Sequence, residues 1–86
     1  MRKHVQNMLN ITNILERVIR SQGGQVRYSY TQDLHNNTMY IVKDKRGNRI
    51  VYDQRHDLFE VRQLNGTFNR SNSLKGFQLI LEALYK

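Results

Sequence analysis

The sequence contains no cysteine, no proline and no tryptophan. The absence of cysteine excludes disulfides, thiolate metal ligands and cysteine nucleophiles, and it is typical of proteins that fold in a reducing compartment. No uninterrupted apolar run reaches the roughly 18 residues that a membrane-spanning helix needs. The first residues include cations, but Gln6, Asn7 and Asn10 interrupt the apolar core that a signal peptide requires. We therefore predict a cytoplasmic protein with no membrane association.

Motifs for cofactor binding and catalysis are also missing. The chain has no Walker loop, no G-x-S-x-G elbow and no dinucleotide fingerprint, so we predict no cofactor. The segment DQRHDLFE brings Asp53, His56, Asp57 and Glu60 close together, which would suit a metal ion or general acid-base chemistry. An exposed polar turn explains this segment more simply. We predict that the protein is not an enzyme.

What the sequence has in excess is positive charge. Its 86 residues include 14 Lys and Arg against 7 Asp and Glu, which gives a formal net charge of +7 and a pI near 10.2. This length suits a single domain over residues 1–86. Such a charge favours attraction to anionic polymers, so DNA or RNA is the partner class that the composition indicates.

The N-terminal quarter has the periodicity of an amphipathic helix. Apolar residues recur there at steps of three and four, at Val5, Met8, Leu9, Ile11, Ile14, Leu15, Val18 and Ile19. This spacing predicts a helix over residues 3–21 with one buried face. Gly23 and Gly24 follow it, and glycine favours the left-handed conformation in which many helices end.

Beyond residue 25 the period falls to two, which is typical of β-strands. The segments VRYSYT, TMYIV, RIVYD and LFEVRQL alternate in this way, and the first of them places Val26, Tyr28 and Tyr30 on one buried face. Turn-forming residues separate the segments about every ten positions, which is the spacing of an antiparallel meander. Asn65-Gly66 predicts a two-residue type I′ turn and a short fifth strand over residues 67–70.

From residue 73 the helical period returns. Leu74, Phe77, Ile80, Leu81, Leu84 and Tyr85 share one face, and Ser71 or Ser73 is available as the N-cap. The whole pattern predicts an α+β domain. It has an N-terminal helix, an antiparallel β-meander of four to five strands and a C-terminal helix, with both helices packed on one face of the sheet.

Strand pairing across the turns predicts which side chains share the outer face, away from the helices. A hairpin centred on Gly47-Asn48 puts Met39, Ile41, Ile50 and Tyr52 inward and Tyr40, Val42, Asp44, Arg49, Val51 and Asp53 outward. A hairpin centred on Asn65-Gly66 puts Phe59, Val61 and Phe68 inward and Leu58, Glu60, Arg62 and Leu64 outward.

On this pairing the outer face is electrically balanced. Arg27, Arg49 and Arg62 would stand against Asp44, Asp53 and Glu60, so we do not expect that face to bind phosphate. Tyr28, Tyr30, Tyr40, Tyr52 and Tyr85 could stack on bases. Three of the tyrosines alternate in step with core residues, however, and are predicted to be packed.

The excess charge is then expected on the first helix and in the turn KDKRGNR. The candidate nucleic-acid contacts are Arg2, Lys3, Arg17, Arg20, Lys45, Arg46 and Arg49. Contacts of this kind to phosphate give binding with little sequence specificity. A turn rich in Lys and Arg is more often a solvated hairpin tip that prevents aggregation than a binding site, so the charge has a second explanation as a source of solubility.

The outer face is also predicted to carry apolar residues that would suit a partner, namely Tyr40, Val42, Val51 and Leu58. The sequence therefore leaves two functions open. The first is a small basic protein that contacts nucleic-acid backbone. The second is a protein-interaction module, whether a homodimer, an accessory factor or an inhibitor.

Overall fold

The computed structural model describes the backbone of residues 3–86 and the side chains of residues 11–86. The elements are α1 (Lys3–Ser21), β1 (Val26–Leu34), β2 (Asn37–Asp44), β3 (Arg49–Asp53), β4 (Leu58–Arg62), β5 (Phe68–Ser71) and α2 (Leu74–Tyr85). The strands form one antiparallel sheet in the order β1-β2-β3-β4-β5. Within the described residues, no helix is long and apolar enough to cross a membrane.

Both helices pack on the same face of the sheet, α1 against β1 and β2 and α2 against β4 and β5. The predicted α+β fold is thereby confirmed, including the fifth strand. The core between the helices and the sheet consists of Leu15, Val18, Ile19, Tyr40, Val42, Ile50, Val61, Phe77, Leu81 and Tyr85. We call the other side of the sheet, which no helix covers, the open face.

The predicted end of α1 is confirmed. The amide of Gly24 donates to the carbonyl of Ile19 over 2.9 Å, and the amide of Gly23 donates to the carbonyl of Arg20 over 3.1 Å. Gly23 has a φ of +94°, as this type of helix end requires. A Cβ atom on Gly24 would lie 2.5 Å from Cζ of Tyr85, so the chain approaches α2 too closely for any side chain at this position.

Ser73 caps α2, as one of the two predicted alternatives. Its side-chain oxygen accepts a 3.0 Å hydrogen bond from the amide of Gly76. Ser71 supports the cap, since its hydroxyl lies 3.1 Å from the carbonyl oxygen of Ser73. The apolar stripe of the helix then points towards β4 and β5, where Phe77 and Leu81 are fully buried.

The β2–β3 hairpin has a three-residue loop, where the sequence pattern predicted a turn centred on Gly47-Asn48. The amide of Asp44 donates to the carbonyl of Asn48 over 3.1 Å, and Gly47 adopts a φ of +88°. The carboxyl oxygen Oδ1 of Asp44 also accepts from the amides of Arg46 (2.9 Å) and Asn48 (2.7 Å). A type I turn followed by a left-handed glycine is a common three-residue hairpin loop.

The extra loop residue changes which side chains share a face, because a one-residue shift in register inverts the faces of one strand relative to the other. Tyr40 lies opposite Tyr52 and Val42 lies opposite Ile50. The predicted outward placement of Tyr40 and Val42 is therefore wrong. Both pack under the helices, with exposed fractions of 1% and 0%.

The β4–β5 hairpin repeats the same loop. The amide of Gln63 donates to the carbonyl of Thr67 over 2.8 Å, and Gly66 has a φ of +93°. The predicted two-residue turn at Asn65-Gly66 is wrong, and Phe68 consequently lies opposite Arg62 on the open face instead of inward. The two-residue turn with positive φ at both positions occurs between β1 and β2, at His35 and Asn36 (51° and 61°).

β1 contains an irregularity that separates residues predicted to share a face. The pairing with β2 shifts register between Val26 and Tyr28. Val26 packs against the core, whereas Tyr28 and Tyr30 pair with Lys43 and Ile41 on the open face. The predicted burial of these two tyrosines beside Val26 is therefore wrong, because a bulge adds one residue to the strand and turns the following side chains over.

Candidate nucleic-acid interface

The strand register arranges the open face in three rows that run across the sheet. The first row is Gln32, Met39, Asp53 and Leu58, and the second is Tyr30, Ile41, Val51, Glu60 and Arg70. The third row is Tyr28, Lys43, Arg49, Arg62 and Phe68. Each row places side chains of neighbouring strands directly opposite one another, close enough to interact.

Three cations stand side by side in the third row, and we call Lys43, Arg49 and Arg62 the cationic row. Lys43 pairs with Arg49, and Arg49 pairs in turn with Arg62. Nη2 of Arg62 lies 3.0 Å from Oε2 of Glu60, and no ion pair of Lys43 or Arg49 occurs among residues 11–86. Like charges directly opposite one another destabilise a sheet, so we expect repulsion between Lys43 and Arg49 that an anion would relieve, while Glu60 offsets part of the charge of Arg62.

A shallow depression of about 200 Å³ adjoins the cationic row. All three cations line it, together with Gly47, Gln63 and Leu64 of the two three-residue loops. The loops thus form one wall of a positively charged concavity at the end of the open face. A concavity lined by charges of one sign concentrates counter-ions of the opposite sign.

Exposed aromatic residues lie at both ends of the cationic row, Tyr28 at one end and Phe68 at the other, and Tyr30 lies beside Tyr28 in the second row. On β1, Tyr28 and Tyr30 are 45% and 39% exposed, and their ring centroids are 6.0 Å apart. On β5, Phe68 is 42% exposed, and the guanidinium carbons of Arg62 and Arg70 lie 5.2 and 5.5 Å from its ring centroid. The cations are therefore flanked by flat apolar surfaces on the same face.

The predicted balance of charges on this face is corrected by the structure. Asp44 lies on the helix side, where it is buried and accepts a hydrogen bond from Tyr85. Lys43 and Arg70, which the sequence pattern had not placed there, belong to the open face. The register therefore removes one acid and adds two cations.

The predicted partner interface is reduced to two of its four residues. Tyr40 and Val42 belong to the core, while Val51 and Leu58 do lie on the open face. Val51 is only 2% exposed, and Leu58 is half-buried. Little apolar surface is left for a partner at the centre of the sheet.

The predicted nucleic-acid contacts divide between two surfaces. Arg49 lies on the open face, while Arg17 and Arg20 are exposed on α1 on the other side of the sheet, with Arg20 Nη2 3.2 Å from Oε1 of Glu16. Arg2 lies outside the described residues, and so does the side chain of Lys3. The structure therefore does not bring the predicted set together as one site.

The two cations at the tip of the β2–β3 loop differ from each other. Lys45 is exposed. Nη1 of Arg46 donates to the carbonyl of Leu84 over 3.3 Å, and its guanidinium carbon lies 5.5 Å from the ring centroid of Tyr85. Arg46 thus joins the loop to the end of α2, which is a structural role for one of the two cations at the loop tip.

The polar β3–β4 loop is held together by its own side chains. Nδ1 of His56 lies 2.8 Å from Oδ2 of Asp53, and the Tyr52 hydroxyl donates to Oδ1 of Asp57 over 2.6 Å. Burial alone would raise the pKa of Asp53, but hydrogen bonds from His56 and Asn37 outweigh it and lower that pKa. Burial, together with the bond to Asp57, raises the pKa of Tyr52 to about 12.

These contacts involve three of the four candidate metal-binding residues, Asp53, His56 and Asp57, and Oε2 of the fourth, Glu60, lies 3.0 Å from Nη2 of Arg62. Within residues 11–86 there is no group of three or more His, Cys, Asp and Glu side chains that could hold a metal ion. The polar side chains of this segment form hydrogen bonds between the end of β3 and the four-residue loop that follows it.

The sequence pattern missed eight members of the open face: Tyr28, Tyr30, Gln32, Met39, Ile41, Lys43, Phe68 and Arg70. The predicted inward placement of Met39 and Ile41 is wrong for the same reason as the outward placement of Tyr40 and Val42. A usable signal was present in the two hairpins, because KRG and LNG both place glycine third in the loop. Glycine in that position is typical of three-residue hairpin loops, and this choice would have corrected the faces of both hairpins. The bulge in β1 has no comparable signal in the residues around it.

The chain was also compared with known proteins. No family model, no curated protein and no solved structure matches it.

Proposed function

We propose that this protein is a non-enzymatic nucleic-acid-binding protein that contacts the phosphate backbone through the cationic row of its open face. The observation that carries the proposal is the direct cross-strand adjacency of Lys43, Arg49 and Arg62. Such an arrangement costs stability in the free protein, and phosphate groups would neutralise it. A cytoplasmic location is part of the proposal, since the chain contains no cysteine.

The clustering of the cations favours this proposal over a role in solubility alone. Charges that only keep a surface wet are effective when they are dispersed with the opposite sign between them, because the repulsion is then small. Here three cations meet on neighbouring strands and line a common depression. The charge is therefore concentrated where a polyanion would bind.

Contacts to phosphate carry no sequence information, so we expect low sequence specificity. Arg17 and Lys45, two of the cations predicted from sequence, remain exposed elsewhere and would contribute to long-range attraction. The alternative of a protein-interaction module stays a prediction. The burial of Tyr40, Val42 and Val51 leaves no specific observation in its favour.

The test is a titration of a fluorescently labelled oligonucleotide, followed by anisotropy at about 50 mM and about 200 mM salt, where three neutralised phosphates predict an affinity loss of about 20-fold. Arg49→Ala should weaken binding and lower the salt slope by about 0.7, the contribution of one phosphate on a single strand. Arg17→Ala is the matched control, since it removes an exposed cation from the opposite side. Binding that depends on Arg17 and not on Arg49, or no binding at low salt, would refute the proposal.

A further inference from the structure

We infer that the open face binds single-stranded nucleic acid, with unpaired bases stacked on the aromatic rings that flank the cationic row. This inference rests on the proposed function and adds the class of strand. Its basis is the placement of Tyr28, Tyr30 and Phe68 on the same face as Lys43, Arg49 and Arg62. Sites for single strands characteristically combine a positively charged path for the backbone with aromatic rings for the bases.

The three aromatic residues are partly exposed. Tyr28, Tyr30 and Phe68 are each between 39% and 45% exposed. In so small a sheet, aromatic side chains that faced the helices would contribute to the core instead. Tyr40 and Tyr52 do face the helices, with ring centroids 6.2 Å apart, and Phe59 stacks on Phe77 at 4.6 Å. The chain thus places one set of aromatics in the core and leaves a second set on the open face beside the cations.

The geometry across the sheet fits an extended strand. Tyr28 on β1 and Phe68 on β5 are the two ends of the third row, four strand spacings apart. At about 4.8 Å per spacing this is about 19 Å, and the cations occupy the three strands between them. A single strand of nucleic acid that lies along the row can therefore place its phosphates on the cations and its bases on the rings at either end.

Two arginine side chains contact Phe68 at its end of the row. The guanidinium groups of Arg62 and Arg70 both lie within 5.5 Å of its ring centroid. Guanidinium planes stack on bases as aromatic rings do, so Arg62 and Arg70 would also be able to contact a base at this end of the row. Their contact with Phe68 also limits the rotamer freedom that binding would otherwise remove.

A duplex can make only some of the contacts that this surface offers. Its bases are stacked and paired with each other, so the rings of Tyr28, Tyr30 and Phe68 would find no partner, and only the phosphates could bind. We therefore expect single strands to bind more tightly than duplexes at equal salt. Because the contacts involve phosphates and base faces, which DNA and RNA share, single strands of both should bind.

The experiment compares labelled single-stranded and duplex probes of about 12 nucleotides, within the range of site sizes for such surfaces, each as DNA and as RNA. Phe68→Leu and the double variant Tyr28→Leu, Tyr30→Leu keep apolar strand residues but remove the rings. Each ring lost should reduce single-strand affinity by about fivefold or more and leave duplex affinity unchanged. Leu79→Ala, an exposed apolar change on α2, is the control.

A second measurement uses the unaltered protein. Tyr28 and Tyr30, on the open face, are the most exposed tyrosines of the protein. Stacking of bases on them should therefore quench tyrosine fluorescence when single strands are added and not when duplexes are added. Equal affinity for both probe types, with neutral ring variants and no quenching, would overturn the single-strand inference and leave phosphate binding intact. Absence of binding to every probe at low salt would instead remove the proposed function itself.

Discussion

The hydroxyl of Tyr85, at the end of α2, donates a 2.6 Å hydrogen bond to Oδ2 of Asp44, at the end of β2. Asn48 Nδ2 donates to the same oxygen over 2.8 Å, and two loop amides reach Oδ1. The carboxyl group of Asp44 thereby organises the KDKRGNR loop and joins it to the C-terminal helix. This highly charged loop therefore has a structural role, because it connects the β2–β3 hairpin to α2.

Removal of the Tyr85 hydroxyl tests this connection. Tyr85→Phe leaves the buried carboxyl group of Asp44 with one donor fewer, which should lower the free energy of unfolding by about 1–3 kcal/mol. Urea unfolding followed by circular dichroism measures the change. Tyr28→Phe removes an exposed hydroxyl as the matched control and should have no effect. Equal stabilities for the two variants would show that the bond contributes nothing.

The same hydroxyl predicts a loss of stability at alkaline pH. Burial raises the pKa of Tyr85 above its ordinary value of 10.0, and the hydrogen bond to Asp44 raises it further. The pKa of Tyr52 is raised to about 12. The protonated forms are thus favoured by folding, so their contribution is fully present below pH 10 and is lost as the pH rises above it. Urea midpoints measured between pH 8 and about 12 should fall, and less steeply for Tyr85→Phe.

Gly24 is expected to be intolerant of any side chain. In Gly24→Ala the new methyl would lie 2.5 Å from Cζ of Tyr85 and 2.7 Å from Cγ2 of Ile19, both in the core. Overpacking of this kind costs about 1–3 kcal/mol. Gly66→Ala is the comparison, because Gly66 has open space around it and its φ of +93° adds only backbone strain. Thermal denaturation of both variants should show the larger loss at Gly24 if the steric account is right.

We expect that removal of a charge from the cationic row stabilises the protein and weakens nucleic-acid binding. Arg49→Gln removes the central charge of three and should raise the free energy of unfolding by several tenths of a kcal/mol, about 0.5, while it weakens nucleic-acid binding. The gain should shrink as salt screens the repulsion. Arg17→Gln on α1 is the control. A destabilised Arg49→Gln variant would mean that the row is not under repulsion and would remove the main support for the proposed site.

Acidic substitutions distinguish the two faces of the sheet. Val42→Asp introduces an unpaired charge at a fully buried position and should prevent folding. Leu58→Asp lies on the open face at a half-buried position and should fold. One-dimensional NMR spectra separate the outcomes. A folded Val42→Asp protein with an altered oligomeric state would restore the interface predicted from sequence for that residue.

Local sequence signals were sufficient for the elements. The three- and four-residue apolar steps of α1, the Gly23-Gly24 stop and the Ser73 cap each depend on residues within a few positions of one another. The alternation of the strands and the spacing of their turns likewise predicted the meander and the packing of both helices on one face. These features could be predicted because short-range hydrogen bonding and the periodicity of side-chain direction determine them.

Which side chains share the open face was decided only in the folded sheet. One additional residue in the β2–β3 loop and one in the β4–β5 loop placed Val42 in the core and Phe68 on the open face, and the bulge in β1 exposed Tyr28. Because side chains alternate with a period of two, a difference of one residue inverts the assignment of a whole strand. Local sequence patterns thus account for the α+β meander and its positive charge, whereas cross-strand register brought Lys43, Arg49 and Arg62 together beside the exposed rings.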